Sequence, residues 1–147
     1  MALTVRQLAE RLASHLQAVL PGWHHSVYPV ELMPYDTRPT QHQAWAVAVT
    51  ATVPAALDRQ RRSEGAHVVS SVSVAWAYRV RDDGAAMDVP SAYDAEAELL
   101  AALLGVEPDP DLSVQFTRAT RRTTAGEVGM LLLGVLELTV YHRLPLT

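Results

Sequence analysis

Two long runs in which apolar and polar residues alternate constrain the fold of this chain more than any other feature. Alternation with a period of two is typical of half-buried strands, because successive side chains point to opposite faces of a sheet. A polar connector that contains Arg59, Arg61 and Arg62 separates the two runs. The pattern therefore predicts a long antiparallel hairpin over residues 43–53 and 67–81, with one buried face and a charged tip. The apolar positions are Trp45, Val47, Val49, Ala51 and Val53 in the first run and Val68, Val72, Val74, Trp76, Tyr78 and Val80 in the second.

Two further segments have the spacing and the boundary signals of helices. Residues 4–7 fit a capping box, apolar residues then recur at helical spacing, and the Pro-Gly pair at 21–22 ends the segment. The second predicted helix begins with a capping signature at Ser91 and Asp94, and Gly105 is placed to cap its carboxyl end. We expect each helix to bury a stripe of leucines.

Three more strands are predicted outside the central hairpin. A short strand over 23–32 contains a proline, which favours a sheet edge or a strand end because proline cannot donate to the ladder. Strands over 113–122 and 130–144 follow the second helix. The polar connector between these last two strands carries Arg121 and Arg122 at its start.

The predicted element order is α-β-β-β-α-β-β. This order favours an α+β fold, with a largely antiparallel sheet and two helices packed on one side of it. A length of 147 residues is typical of a single domain, which we place over 1–147. Gly134, inside the last strand, predicts a bulge or a close backbone approach. We expect Trp23, Trp45 and Trp76 to act as core or interface anchors.

The composition excludes several kinds of chemistry. The chain has no cysteine, so disulfides, thiolate metal sites and a cysteine nucleophile are excluded. All 12 basic residues are arginines, which removes Schiff-base chemistry and the phosphate-loop lysine. A net charge of −4 is too mild to indicate a nucleic-acid surface. No targeting segment is visible and the longest apolar stretch, 130–136, is short, so we expect a soluble protein made in a cytoplasm, without a membrane partner.

The remaining polar clusters favour structural roles over catalysis. The histidines at 24–25 are neighbours in a strand and point to opposite faces, so they do not share a metal ion. The aspartates at 82–83 suit a turn, Glu96 and Glu98 suit the first turns of a helix, and the serines within 70–73 suit the polar face of a strand. No nucleophile elbow or glycine-rich phosphate loop occurs. We expect no catalytic residues, no cofactor-binding residues and no metal site.

The arginine clusters are the residues for which the sequence leaves a functional role open. One cluster comprises Arg59, Arg61 and Arg62, and the other comprises Arg121 and Arg122. Both are compatible with two solvated loops. Both are equally compatible with contact to acidic protein surfaces or to passing DNA, since arginine pairs with carboxylate or phosphate through two parallel hydrogen bonds. Neither connector has stacking aromatic residues, which argues against a platform for single-stranded nucleic acid.

The whole arrangement resembles the tail terminator, or tail-completion, proteins of long-tailed bacteriophages. The likeness covers nearly the full chain in the order and length of the elements: an amphipathic first helix, a long central hairpin, a helix after an Asp-rich turn and an arginine-tipped closing hairpin. The segments that carry most of it are Val72–Arg81, Tyr93–Leu100 and Leu136–His142.

The resemblance implies a structural role in the virion. Such proteins form rings, usually hexamers, that cap the finished tail tube, stop its growth and join the tail to the head connector. It implies that the partners are further copies of the chain, the tail tube protein and the head–tail connector or adaptor protein, with DNA passing through the lumen without specific binding. The protein would be found in the tail or neck of the virion and assembled in the host cytoplasm. Under this hypothesis the five arginines lie at interfaces or line the lumen.

Three other functions remain open from the sequence. One is another component of the head–tail neck, such as a head-completion or adaptor protein. A second is a small α+β domain that binds a ligand or acts as an enzyme, with a pocket between the helices and the sheet. A third is a nucleic-acid binder, against which the net negative charge argues.

Overall fold

The computed structural model of the protein describes residues 2–26, 42–55, 65–80, 88–106, 112–126 and 129–145. These residues form an α+β fold, as the sequence predicts, with one five-stranded sheet. Arg59, Arg61, Arg62 and the aspartates at 82–83 lie outside the described residues. The elements are α1 (Val5–Val19), β1 (His24–His25), β2 (Ala44–Pro54), β3 (Ala66–Val80), α2 (Asp88–Leu104), β4 (Ser113–Gly126) and β5 (Gly129–Leu144).

The sheet is built around the predicted central hairpin. Its strand order is β1-β2-β3-β5-β4, and every pairing is antiparallel except the short parallel pair of β1 with β2. In the hairpin Trp45 pairs with Trp76, and the predicted parity is confirmed from Trp45 to Val49. A register shift between Val49 and Ala51 reverses it, so the prediction that Ala51 and Val53 share the buried face is wrong, and both are exposed. On its other side β3 pairs with β5 along its whole length. The central position of β3 explains its dense run of β-branched and apolar residues, since a strand with neighbours on both sides is largely buried.

Both helices pack on the same face of the sheet. The capping box of α1 is present as predicted: the amide of Gln7 donates to Thr4 Oγ1 at 3.1 Å, and the amide of Thr4 donates to Gln7 Oε1 at 2.9 Å. Leucines from the buried stripes of the two helices meet the apolar residues of β2, β3 and β5. Truncating one of these leucines to alanine costs about 2–5 kcal/mol. The fully buried members of this core are Leu8, Leu12, Leu16, Trp45, Val72, Val74, Trp76, Leu99, Leu103, Leu136, Leu138 and Val140.

Gly134 permits a tryptophan to lie flat against the sheet. It pairs with Trp76 across β3 and β5, and a Cβ atom at Gly134 would overlap the Trp76 indole ring. The bulge or close backbone approach predicted at Gly134 is therefore wrong in kind: the pairing of β5 is regular there, and the close approach is made by an aromatic ring. Trp23, Trp45 and Trp76 are all buried, as expected of core anchors.

The second helix begins earlier than the sequence suggested. It starts at Asp88, so Ser91 and Asp94 lie inside α2 and the prediction that they cap it is wrong. Proline is tolerated in the first turn of a helix, where its missing N–H has no intrahelical partner, and Pro90 occupies such a position. At the other end, the amide of Gly105 donates to the carbonyl of Ala101 at 3.0 Å directly after the last helical residue.

The closing hairpin is longer than predicted. β4 continues to Gly126 and β5 begins at Gly129, so Arg121 and Arg122 lie within a strand and not on a connector. The β-branched threonines that follow the arginines favour the extended conformation, which explains the longer strand. Of the strand predicted over 23–32, the described part is a strand at His24–His25. Within the described ranges, neither helix is long and apolar enough to span a bilayer.

Candidate assembly interface

The outer border of the sheet is formed by β4. This strand of 14 residues pairs with β5, and no other strand among the described residues lies beside it. From Gln115 to Thr123 every side chain except that of Ala119 is exposed. An outer strand of this length presents a row of backbone N–H and C=O groups that a further strand can pair with. The border of β4 is therefore a surface suited to assembly.

A bulge sets the direction of the arginine side chains on β4. The register with β5 shifts between Phe116 and Arg118, so Thr117 is an extra residue. Because successive strand side chains alternate, the extra residue shifts by one the numbering of the positions that face the helices: these are even-numbered up to Phe116 and odd-numbered from Ala119 onward. As a result Arg118 lies opposite Glu137 on the face away from the helices, and Arg121 lies on the face that carries α2.

Arg121 is held in place by a buried carboxylate of α2. Its Nε donates to Glu96 Oε2 at 2.8 Å, and a second hydrogen bond joins Nη2 to Glu96 Oε1. Glu96 is only 7% exposed, whereas the Arg121 side chain is 42% exposed. The hydrogen bond to Glu96 raises the pKa of Arg121 against the opposing effect of burial. The Arg121 guanidinium also lies over the ring of Tyr93, 5.7 Å from its centroid.

Arg118 makes a similar pair on the other face. Its Nε donates to Glu137 Oε2 at 2.8 Å and its Nη2 donates to Glu137 Oε1 at 3.3 Å across the β4–β5 ladder. This pair is largely exposed, so its contribution to stability is small. Both arginines thus point back onto their own subunit, and their charges do not project across the free border of β4.

Of the five arginines that the sequence singled out, the structure describes Arg121 and Arg122 and sets them on different faces of the sheet. Arg121 and Arg122 are neighbours in β4 and therefore lie on opposite faces of the sheet, with Arg122 exposed. Arg59, Arg61 and Arg62 fall outside the described residues. The proposal that all five lie at interfaces or in a lumen stays a prediction.

Two exposed aromatic side chains beside β4 were missed by the sequence reasoning. Phe116 is 44% exposed on the helix-bearing face of β4, and Tyr93 is 51% exposed on α2 next to Arg121. Alternation along 113–122 gives Phe116 the parity of Val114 and does not tell whether the strand lies inside the sheet or at its edge. The strand order, which the sequence does not give, makes it a residue at the sheet border.

A buried row of polar side chains crosses the sheet on the helix-bearing face. Ser70 Oγ lies 2.8 Å from Thr52 Oγ1 and 2.6 Å from His142 Nε2. Ser70 was predicted to lie on a polar, exposed face, but it is fully buried. The error arises because Ser70 has the parity of Val72 and Val74, which sets it on the core side.

The Ser70–His142 pair lacks the surroundings of a catalytic pair. His142 Nδ1 has no hydrogen-bond partner among the described residues, so no carboxylate orients the ring. His142 lines a recess of about 100 Å³, but Ser70 does not reach it. Burial lowers the pKa of His142, and the nearby backbone of Leu3 offsets part of this change. The arrangement is typical of a structural polar contact within a core, in which Ser70 satisfies one of the two ring nitrogens of His142.

The histidines at the start of β1 do not converge on a common ligand. His24 and His25 are both exposed, and the ring of His25 stacks on Trp45 with 4.4 Å between ring centroids. The part of the chain that the structure describes contains no group of three side chains able to hold a metal ion.

A second recess lies between the two helices. Its volume is about 400 Å³, and His15 and Glu98 supply its polar groups. His15 Nε2 is engaged with the carbonyl of Ala102 at 2.8 Å. This recess is the feature that favours a ligand-binding function.

Comparison of the chain with models of known protein families finds no match. Comparison with curated proteins finds no match either.

Proposed function

We propose that this protein is a structural component of a phage tail that forms a ring, caps the tail tube and joins the tail to the head connector. The observation that carries the proposal is the long outer strand β4, whose border has no strand partner among the described residues. A ring of identical subunits requires a contact between two different surfaces on each subunit, and an open sheet border supplies one of them. The resemblance to tail terminator proteins supplies the biological role.

The distribution of polar groups supports a structural role over a catalytic one. Arg118 and Arg121 are tied to carboxylates of the same subunit, and the Ser70–His142 pair is enclosed in the core. Catalysis needs reactive groups that a substrate can reach. The exposed border of β4 instead offers backbone hydrogen-bonding groups, which are used in assembly.

Four of the arginines singled out by the sequence are proposed to meet the other parts of the tail. Arg59, Arg61 and Arg62 lie on the connector between β2 and β3, and Arg122 lies exposed on β4. These positions would contact the acidic surfaces of the tail tube protein or of the connector protein, or the DNA in the lumen.

Electron microscopy of the purified protein, alone and with tail tubes, tests this proposal. We expect rings in the free protein and a cap at one end of each tube. Size-exclusion chromatography with light scattering should show a mass that rises with concentration to that of a ring. A protein that stays monomeric at every concentration and leaves tubes uncapped would refute the proposal.

Charge reversal tests the role of the arginines. Changing Arg59, Arg61, Arg62 and Arg122 to glutamate should leave the circular dichroism spectrum unchanged and abolish tail completion. Arg121 is excluded from this set because it neutralises the buried Glu96. Infectious particles assembled from the reversed variant would remove these arginines from the proposed interfaces.

The alternative functions predict other outcomes. A neck adaptor would bind the head connector but leave free tubes uncapped. A small ligand-binding domain would use the recess of about 400 Å³ between α1 and α2, which is within the size range of small-molecule sites. That function predicts a monomer whose melting temperature rises with a small ligand.

A further inference from the structure

The recess between the two helices is formed by the residues at and near their carboxyl ends. One wall is the end of α1, from His15 to Leu20, and the other is the end of α2, from Glu98 to Gly105. Its volume of about 400 Å³ lies in the range of small-molecule sites. None of the described residues that line it belongs to the sheet, so the recess is separate from the border of β4.

The polar side chains of the recess offer hydrogen-bond acceptors. Glu98 is exposed, and its carboxylate has no ion pair or hydrogen bond within the described residues. His15 Nε2 donates to the carbonyl of Ala102 at 2.8 Å, because a carbonyl oxygen can only accept. Nδ1 of the neutral ring is then an acceptor without a partner in the part of the chain that the structure describes. A ligand that suits these two groups must donate hydrogen bonds.

The electrostatic surroundings of the recess are negative. The carboxyl ends of both helices meet there, and neither helix has a basic residue in its last turn. The aligned peptide dipoles place partial negative charge at the carboxyl end of a helix. Glu98 adds a full negative charge, and no arginine is among the described residues that line the recess. A cation is therefore favoured over a neutral or an anionic ligand.

The rest of the lining is apolar and made mostly of small residues. Leu20 and Ala102 are buried, whereas Val19 is 49% exposed at the rim. An apolar group that lies against these side chains is removed from water, and the gain in free energy grows with the area covered. The small side chain of Ala101 leaves space that a larger residue at this position would fill.

We propose that this recess binds a small organic ammonium ion that carries an apolar group. The ammonium N–H groups donate to the carboxylate of Glu98 and to Nδ1 of His15, and the apolar group lies against Val19 and Leu20. The site is additional to the proposed role in the tail, and its occupation does not require the formation of a ring.

Ligand-observed nuclear magnetic resonance with the full chain tests the proposal, because it detects weak binding to a single subunit and to a ring alike. The probe is phenethylamine. Its matched controls are phenethyl alcohol, which is neutral, and hydrocinnamate, which is an anion of similar shape. We expect saturable binding of the amine, and binding weaker by about fivefold or more for both controls.

Removal of the Glu98 charge tests the recognition of the ammonium group. Glu98→Gln should raise the dissociation constant of phenethylamine by about fivefold, since the carboxylate is exposed and its pairing energy is screened by solvent. The matched control is Asp94→Asn, which removes the same charge from an exposed position of α2 outside the recess and should leave the dissociation constant unchanged.

Filling the recess tests its location without a change in charge. Ala101→Leu should abolish saturable binding of phenethylamine, because the larger side chain occupies the site. Ala97→Leu makes the same change at an exposed position of α2 that does not line the recess, and this variant should bind as the wild type does. Circular dichroism checks that each variant is folded, and Glu98→Gln decides the matter if Ala101→Leu is not.

Several outcomes would overturn the proposal. Absence of saturable binding of phenethylamine would refute the site. Equal binding of the three probes, or unchanged binding in Glu98→Gln, would refute the recognition of a cation. Wild-type binding in a folded Ala101→Leu variant would place the amine outside the recess. None of these results bears on the ring function, which is measured by the mass of the protein and by the capping of tubes.

Discussion

At the scale of single residues, His142 illustrates how burial and partners together set the behaviour of a side chain. Its Nε2 lies 2.6 Å from Ser70 Oγ, and its Nδ1 is buried without a hydrogen-bond partner among the described residues. The ring is therefore accommodated in its neutral form. Protonation would place a charge in an apolar core next to a hydroxyl group already engaged with Thr52.

The lowered pKa of His142 predicts that the protein loses stability in acid. Below a pH of about 6.5 the unfolded chain takes up a proton on this histidine that the folded chain resists, so the free energy of unfolding falls until the pH reaches the folded pKa. Measuring the melting temperature between neutral pH and mild acid should show a weaker pH dependence in His142→Gln than in the wild type. The control His24→Gln, at an exposed position, should keep the wild-type pH dependence. If the melting temperature depended on pH identically in His142→Gln and in the wild type, this prediction would be contradicted.

Loss of the Glu96 carboxylate should destabilise the contact between α2 and β4, because Glu96 pairs with Arg121. Glu96→Gln keeps the shape but weakens the bidentate pair with Arg121, and we expect a loss of about 1 kcal/mol, reduced from the usual value because Arg121 is partly exposed. Urea denaturation monitored by tryptophan fluorescence measures this loss in the free energy of unfolding. Glu98→Gln, at an exposed position of the same helix, is the control and should change the stability by less than about 0.5 kcal/mol. Equal effects of the two changes would show that the pair with Arg121 adds nothing.

At the scale of elements, α1 is the helix whose limits follow most directly from the sequence. Thr4 and Gln7 satisfy two amides of the first turn by reciprocal hydrogen bonds. Thr4→Ala should therefore lower the free energy of unfolding by about 1 kcal/mol, measured by chemical denaturation. Ser14→Ala, in the exposed middle of α1, should be neutral or slightly stabilising, because alanine is the better helix former. A neutral Thr4→Ala would mean that the first turn is held by its packing alone.

The elements also show which parts of the fold can be predicted from the sequence. Periodicity was sufficient for α1, for β3 and for β5, since each has one continuous buried face. It was sufficient for β2 only as far as Val49, because the register shift that follows exposes Ala51 and Val53. It failed at the start of α2, where Pro90 was taken to precede the helix, and at the end of β4, where arginines suggested a connector. In both cases the local residues permit two conformations, and contacts with the rest of the sheet decide between them.

The candidate interface and the buried polar row required information that the sequence does not contain. Ser70 meets His142 because β3 and β5 pair in one particular register, across 72 positions of the chain. Arg121 reaches Glu96 because of the register shift next to Phe116. Such contacts depend on strand order and register, which are properties of the folded sheet and not of any local segment.

At the scale of the whole molecule, the two faces of the sheet are used differently. One face carries both helices and the main core. The other face has a smaller buried cluster of Ala44, Ala46, Ala77, Leu131 and Leu133 near the start of β2, and it becomes more polar toward the middle of β3. The sheet is therefore packed on both faces at one end and on the helix-bearing face alone toward the middle of β3.

Because Thr117 is an extra residue, the alternation of side chains along β4 before it is out of step with the alternation after it. Up to Phe116 the outward-facing set follows one parity, and from Arg118 onward it follows the other. Deleting Thr117 would not change the face that any other side chain of β4 occupies, because Phe116 and Arg118 already lie opposite the adjacent residues Leu138 and Glu137. The ladder would become regular, and Arg121 would keep its place opposite Gly134, on the side of Glu96. What the extra residue adds is a local bend and a stronger twist of the strand. Its removal would therefore alter the path of the border and leave the partners of its side chains unchanged.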